Sequence, residues 1–190
     1  MSSGRVNALA ITTRQGHVVY ERFYDHFSEG EKAEIRVAFD QVAGPSSAAA
    51  AAVVVEDAEI VGRYRNGRIV CIPSGDLLFF ALGTGEYTEL ALSAVLAAII
   101  AAYKEVFRGA SLTDALLFSN YAVVVLVVDE VCREGLVGLT DRLSIQKAIA
   151  MRLPYEPPAP EKSKSSFSRM LSSKSQSVQQ QAQQPQQASG

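Results

Sequence analysis

Only a few residues in this chain of 190 are of types and spacings that could do chemistry. His17 and His26 are its two histidines, nine positions apart on different elements, so a metal site would have to borrow carboxylates from elsewhere. Gly83-Thr84-Gly85 follows an apolar run and precedes a helical pattern, the setting of a phosphate loop. It lacks the third glycine and the Lys-Ser/Thr that would hold the phosphate, so it reads as a tight strand-to-helix turn. Asp129 and Glu130 are adjacent carboxylates. Neighbours on a helix project about 100° apart and cannot flank one bond as acid and base, so they read as a solvated or interface edge. Cys132 has no histidine near it and reads, like Cys71, as a small buried apolar residue. The sequence therefore predicts no catalytic residue, no metal ligand and no cofactor, and a protein that is not an enzyme.

The elements that would position such groups can be read from periodicity. Val6 to Thr12 and His17 to Tyr24 are apolar runs on either side of a Gly16 turn, a hairpin pattern. Ser28 and Glu31 have the S-x-x-E spacing of a capped helix start, and Ile35, Ala38, Phe39 and Val42 form its apolar stripe before Gly44-Pro45. An alanine-rich connection fills 46–61. Asn66-Gly67 predicts a type I′ turn between strands near Val61–Tyr64 and Arg68–Ile72. Leu77 to Leu82 is apolar at every position, as in a central strand covered on both faces. Leu92, Val95, Leu96, Ile99, Tyr103 and Val106 recur at helical spacing in the longest helix, stopped by Gly109. Ser111 and Asp114 predict the cap of a short helix. After it, five valines in seven residues favour a strand, whereas Asp129, Glu130, Arg133 and Glu134 before Gly135 favour a helix. Asp141 or Thr140 caps a last helix over Leu143–Leu153.

Composition divides the chain after Leu153. Residues 154–190 hold nine Ser, eight Gln and five of the seven Pro. Five large apolar side chains there cannot offset an ordering entropy of roughly 1–2 kcal/mol per residue. A disordered Ser/Gln/Pro-rich tail is therefore expected at 154–190 and one compact domain at 1–153. The tail carries +2 and the body −4 of the net −2, and a mildly acidic body lacks the basic face that nucleic acid requires. The uncharged apolar runs Leu90 to Tyr103 and Ala115 to Val128 are too short for a membrane span of about 20 residues. With no secretory leader pattern and two isolated cysteines, a soluble, cytoplasmic protein is expected.

Three stretches carry a resemblance to a family: VNALAITTRQGHVVYERFYDHFSEGEKAEIRVAF, GRIVCIPSGDLLFFALGTGE and NYAVVVLVVDEVCREGLV. They resemble the small subunits of clathrin-adaptor and coatomer complexes over about residues 5–153. The most specific piece is Val128-Asp129-Glu130 followed by Gly135. Within the family, the opening strands, the alanine-rich insertion and RGASLTDALLF look most like the small subunits of plant TPLATE (TSET) complexes. A departure lies at Val123 and Val124, where the family places polar residues.

The resemblance implies a longin-like α+β fold, an α-β-α sandwich. Five antiparallel strands would carry one helix on one face and two or more on the other, with the valine run helical. It implies a subunit that clamps the large solenoid subunit of a heteromeric coat in clathrin-mediated endocytosis, beside the other subunits. Membrane and clathrin association would be indirect, by peripheral recruitment to the plasma membrane or clathrin-coated vesicles. At Gly75, Leu77, Leu112 and Ala115 it implies a vestigial pocket for acidic dileucine cargo. Two of these are bulky, and the basic residue that follows the first glycine turn in the family is replaced by His17-Val18-Val19. The rivals are a small subunit of a conventional clathrin adaptor or coatomer, another longin-type trafficking module, a small-molecule sensor or enzyme on a profilin-like sheet, and an interaction module of unknown partner. A longin SNARE would need a heptad segment that the tail lacks.

Overall fold

A computed structural model of the chain describes residues 4–44 and 58–152. Five strands, β1 (Arg5–Thr13), β2 (Val18–Phe23), β3 (Ile60–Tyr64), β4 (Gly67–Ser74) and β5 (Leu77–Thr84), make one sheet in the order β2-β1-β5-β4-β3. Every neighbouring pair is antiparallel. The fully apolar strand β5 is central, because both of its faces are covered. Leu77, Phe79 and Ala81 join one core cluster, and Leu78, Phe80 and Leu82 the other.

Helix α1 (Glu29–Ala43) covers one face. The Ser28 hydroxyl accepts from the Glu31 N–H while the Glu31 carboxylate accepts from the Ser28 N–H, the reciprocal cap its spacing predicts. Ile35, Ala38 and Phe39 turn inward, and the Phe39 ring stacks on Phe80 at 4.9 Å. The opposite face carries α2 (Glu89–Val106), α3 (Asp114–Ser119), α4 (Tyr121–Val131) and α5 (Arg142–Arg152). Helix α2 lies on β4 and β5 and packs against α4 and α5. This is the expected α-β-α sandwich. The valine run is helical, because Val124, Val127 and Val128, with Val131 one turn on, are buried in the core cluster shared with α2, and tertiary packing overrides β propensity.

Three local expectations change. The β3–β4 loop is Arg65-Asn66, with Arg65 at φ 51° and Tyr64 paired to Gly67. Gly67 is instead the first residue of β4, where a Cβ would stand 2.7 Å from Leu82 Cδ1. The cap of α3 is Thr113, whose hydroxyl accepts from the Leu116 N–H at 3.2 Å. Ser111 cannot take that place because Leu112 is drawn into the core and its carbonyl accepts from the Asp76 N–H at 3.0 Å. After α4 comes a small hairpin, β6 (Cys132–Arg133) and β7 (Leu136–Val137). Its two-residue loop, Glu134 and Gly135, has positive φ at both positions, 53° and 81°. Of the connection expected at 46–61, Ile60 and Val61 instead begin β3, and residues 46–57 lie outside the described residues, as do the boundary at Leu153 and the tail.

Candidate functional site

A helix on a sheet needs one apolar stripe, and its outer face is ordinarily polar. Helix α1 obeys apart from Ala33 and Val37, the latter 54 % exposed: Glu34, Asp40 and Gln41 are exposed, and Arg36 forms a two-bond pair with Glu21 on β2. Helices α2 and α4 do not. Between Leu90 and Tyr103, α2 has no charged residue, and its outward stripe is Leu90, 78 % exposed, then Ala94, Ala97 and half-buried Ala101. Between Tyr121 and Val128, α4 has none either. Ala122 is exposed, Val125 and Leu126 are half-buried, and Phe118 of α3 is 56 % exposed beside them in sequence. The two uncharged runs that are too short to span a membrane thus fall in α2 and in α3 with most of α4, on one face of the sheet, and are apolar inside and out. Among the described residues no helix is long and apolar enough to cross a membrane.

This face is braced from below. The Tyr103 phenol on α2 donates to the Val124 carbonyl on α4 at 3.0 Å. At the far end of α4, Arg22 of β2 donates to Asp129 at 2.5 Å, and the Tyr24 phenol donates to the Cys132 carbonyl at 3.0 Å. Burial pushes the Tyr24 phenol well above the usual tyrosine range, with the contact to Cys132 adding to it, so it remains a donor. Gly135 presents its carbonyl to the Val6 N–H at 2.8 Å, and a Cβ there would stand 2.5 Å from the Val6 carbonyl oxygen.

The Val128-Asp129-Glu130 and Gly135 piece is therefore one structural device. Val128 lies in the core, Asp129 holds β2, and Gly135 seats the hairpin on β1. The Glu130 carbonyl accepts from the Leu139 N–H at 2.9 Å, turning the chain toward α5. Of the solvated or interface edge expected at Asp129 and Glu130, the solvated alternative is corrected. Asp129 is anchored across 107 residues of sequence, and the Glu130 side chain is only 9 % exposed.

Of the four positions implied for cargo, the structure brings Gly75 and Leu112 together: with φ 61°, Gly75 approaches the Leu112 carbonyl so closely that a Cβ would stand 2.4 Å from it. Leu77 and Leu112 are buried in the core and Ala115 is exposed on α3. Arg14, two residues before the first glycine turn, donates through Nε and Nη2 to the Gly75 carbonyl. Cys71 and Cys132 are free and buried, and burial pushes the Cys71 thiol up to about 12. Among the described residues no group of three or more His, Cys, Asp and Glu could hold a metal ion.

The sequence profile of the clathrin adaptor complex small chain family matches residues 5–154. The chain belongs to this family. It is 24 % identical over 147 residues to the TSET complex member tstD of Dictyostelium discoideum, covering 77 % of this chain and 93 % of that relative. Its fold is similar, with a TM-score of 0.54 at 13 % identity, to a chain in a structure described as a homology model of the full-length AP-3 complex in a stretched open conformation. That match covers 77 % of this chain and 93 % of the other. This adaptor small chain is thus a small subunit of an adaptor- or coat-type complex, a family of non-enzymatic structural components. The uncharged outer surface of α2 and α4 is legible in the sequence as missing charge, and the bonds that brace it are not, because each joins residues far apart in the chain.

Proposed function

We propose that this adaptor small chain is the small subunit of a TSET-type coat complex in clathrin-mediated endocytosis and vesicle traffic, where it clamps a large solenoid subunit. The observation that carries the reading is the uncharged outer surface of α2 and α4. A helix apolar all round belongs in an interior, and a partner's helices are what would complete it. Ala94, Ala97 and Ala101 keep the α2 stripe low, so the ridges of a facing helix could approach closely. A block braced through Tyr103, Arg22 and Gly135 has little conformational freedom to lose on docking. Recruitment to the plasma membrane or to clathrin-coated vesicles would then be peripheral and come through the assembled complex.

Affinity capture of the full chain from cells tests this. The native chain retrieves a large helical coat subunit with its other subunits, Ala97→Arg does not, and the chain cut after Leu153 does. Failure of the native chain to retrieve any coat component overturns the reading.

A further inference from the structure

The hairpin from β3 to β4 holds three arginines in six residues, Arg63, Arg65 and Arg68. Arg63 and Arg68 stand directly opposite each other across the antiparallel pair, an arrangement of like charges that destabilises a sheet. Arg65 adds a second local cost, since its φ of 51° is left-handed backbone on a long side chain. Where a sequence breaks two local rules within six residues, a site is the expected reason.

The surroundings indicate what such a site would take. Arg65 donates through Nη1 to Glu31 at 2.9 Å and through Nη2 to Glu34 at 2.8 Å, and its guanidinium lies 5.0 Å above the Tyr64 ring. Arg68 holds Glu89 through Nε at 3.2 Å and the Gly85 carbonyl through Nη1 at 3.4 Å. These contacts fix two guanidiniums in place and leave Nε of Arg65 and Nη2 of Arg68 to spare, since each carries five N–H donors. Arg63 is exposed and has no ion-pair partner among the described residues. The three arginines with Asn66 and Gly67 line a cleft of about 240 Å³.

We propose that this cleft binds a phosphate monoester, with Arg63 supplying the uncommitted charge and Arg65 and Arg68 the pre-set donors. Guanidinium forks match phosphate oxygens in pairs, and a dianion with three acceptor oxygens can meet donors arriving from both strands and the turn between them. A cation would face three guanidiniums and no free carboxylate. The group could come from a phosphorylated lipid headgroup or from a free phosphate, and the two sources are separable.

The full-length chain is mixed with phosphatidylcholine vesicles with and without phosphatidylinositol phosphate, and separately titrated with soluble inositol phosphate and inorganic phosphate. Vesicles carrying the phosphate retain the protein and neutral vesicles do not. Arg63→Ala weakens retention about fivefold, the loss expected for one basic residue near an anionic surface, and Arg63→Glu abolishes it. Neither variant lowers the thermal midpoint, because Arg63 is exposed and has no ion-pair partner among the described residues and its replacement relieves the opposition to Arg68. Saturable binding of the soluble phosphates with the same Arg63 dependence assigns the site to the phosphate group itself. Dependence on Arg63 confined to vesicles assigns it to a headgroup at a surface. No binding in either arm, or binding that Arg63→Glu leaves unchanged, overturns the proposal. Capture of the large subunit by Arg63→Glu, expected to be native, keeps this result separate from the clamp reading.

Discussion

The Tyr103 phenol on α2 donates to the main-chain carbonyl of Val124 on α4 at 3.0 Å, inside the core. Burial pushes that phenol well above the usual tyrosine range, so the proton stays on it and the bond persists over the accessible pH range. Its ring meets Phe79 at 6.2 Å and Phe107 at 6.0 Å. One side chain thus ties together the two helices whose outer surfaces carry the uncharged stripe.

Tyr103→Phe keeps the ring and removes the donor, and it should lower stability by about 1 kcal/mol in urea unfolding. Tyr103→Ala removes the ring as well and should cost about 3–5 kcal/mol. A Phe variant as stable as the native chain would show that the Val124 carbonyl is satisfied within its own helix.

Gly135 answers two demands at once: a φ of 81° and a Cβ position 2.5 Å from the Val6 carbonyl oxygen. Alanine there meets both the left-handed backbone penalty and main-chain atoms that cannot swing aside. Gly135→Ala should cost more than about 2 kcal/mol, seen as a lowered urea midpoint. Gly30 gives the contrast, since a Cβ there meets nothing within 4 Å and it lies in the first turn of a helix. Gly30→Ala should be neutral or stabilising. Equal losses at the two positions would refute the account.

What the sequence discloses depends on the range of the interaction that decides it. Leu77 to Leu82 reveals a central strand because both faces of one segment are apolar, and Ser28 with Glu31 reveals a helix start because the two bond each other. The Tyr121–Val131 helix is different. Its valines favour a strand locally, the resemblance implied a helix, and the packing of Val124, Val127 and Val128 against the sheet and α2 overcomes the propensity. Asp129 has no visible partner in the sequence because Arg22 is 107 residues away. The hairpin at Glu134-Gly135 is likewise invisible until β1 is present for it to lie on. The opposition of Arg63 and Arg68 needs the register of the strands, which a loop moved by one residue from Asn66-Gly67 to Arg65-Asn66 sets.

Acid should weaken the first turns of α1. The Arg65 guanidinium, then the Ser28 cap, holds the Glu31 carboxyl below the usual glutamate range, and the Tyr64 hydroxyl does the same for Glu34. A carboxyl depressed in the folded state contributes stability above its unfolded pKa, about 4.3, and loses it as pH falls through the lower folded value. Asp40, raised by burial, works in the opposite direction, so a single variant is the cleaner probe. Glu31→Gln can still close the capping box and has no carboxyl to titrate. The native chain should be the more stable near neutral pH, and the difference should shrink toward zero below about pH 4. A difference constant with pH would mean that the Glu31 charge contributes nothing.

At Gly75, Leu77, Leu112 and Ala115, a dileucine motif would have to insert two side chains where the chain's own already are. Leu77 and Leu112 are buried, and the Asp76 N–H is bonded to the Leu112 carbonyl across the seam. Burying a leucine side chain yields about 1.5–3 kcal/mol, whereas emptying a packed leucine site costs about 2–5 kcal/mol, so displacement has no net driving force. The Arg14 side chain nearest the seam is turned onto the Gly75 carbonyl. An acidic dileucine peptide titrated into the full chain should therefore produce no saturable change up to millimolar concentration. Submillimolar binding lost in Ala115→Arg would show that the seam opens and that this small chain selects cargo.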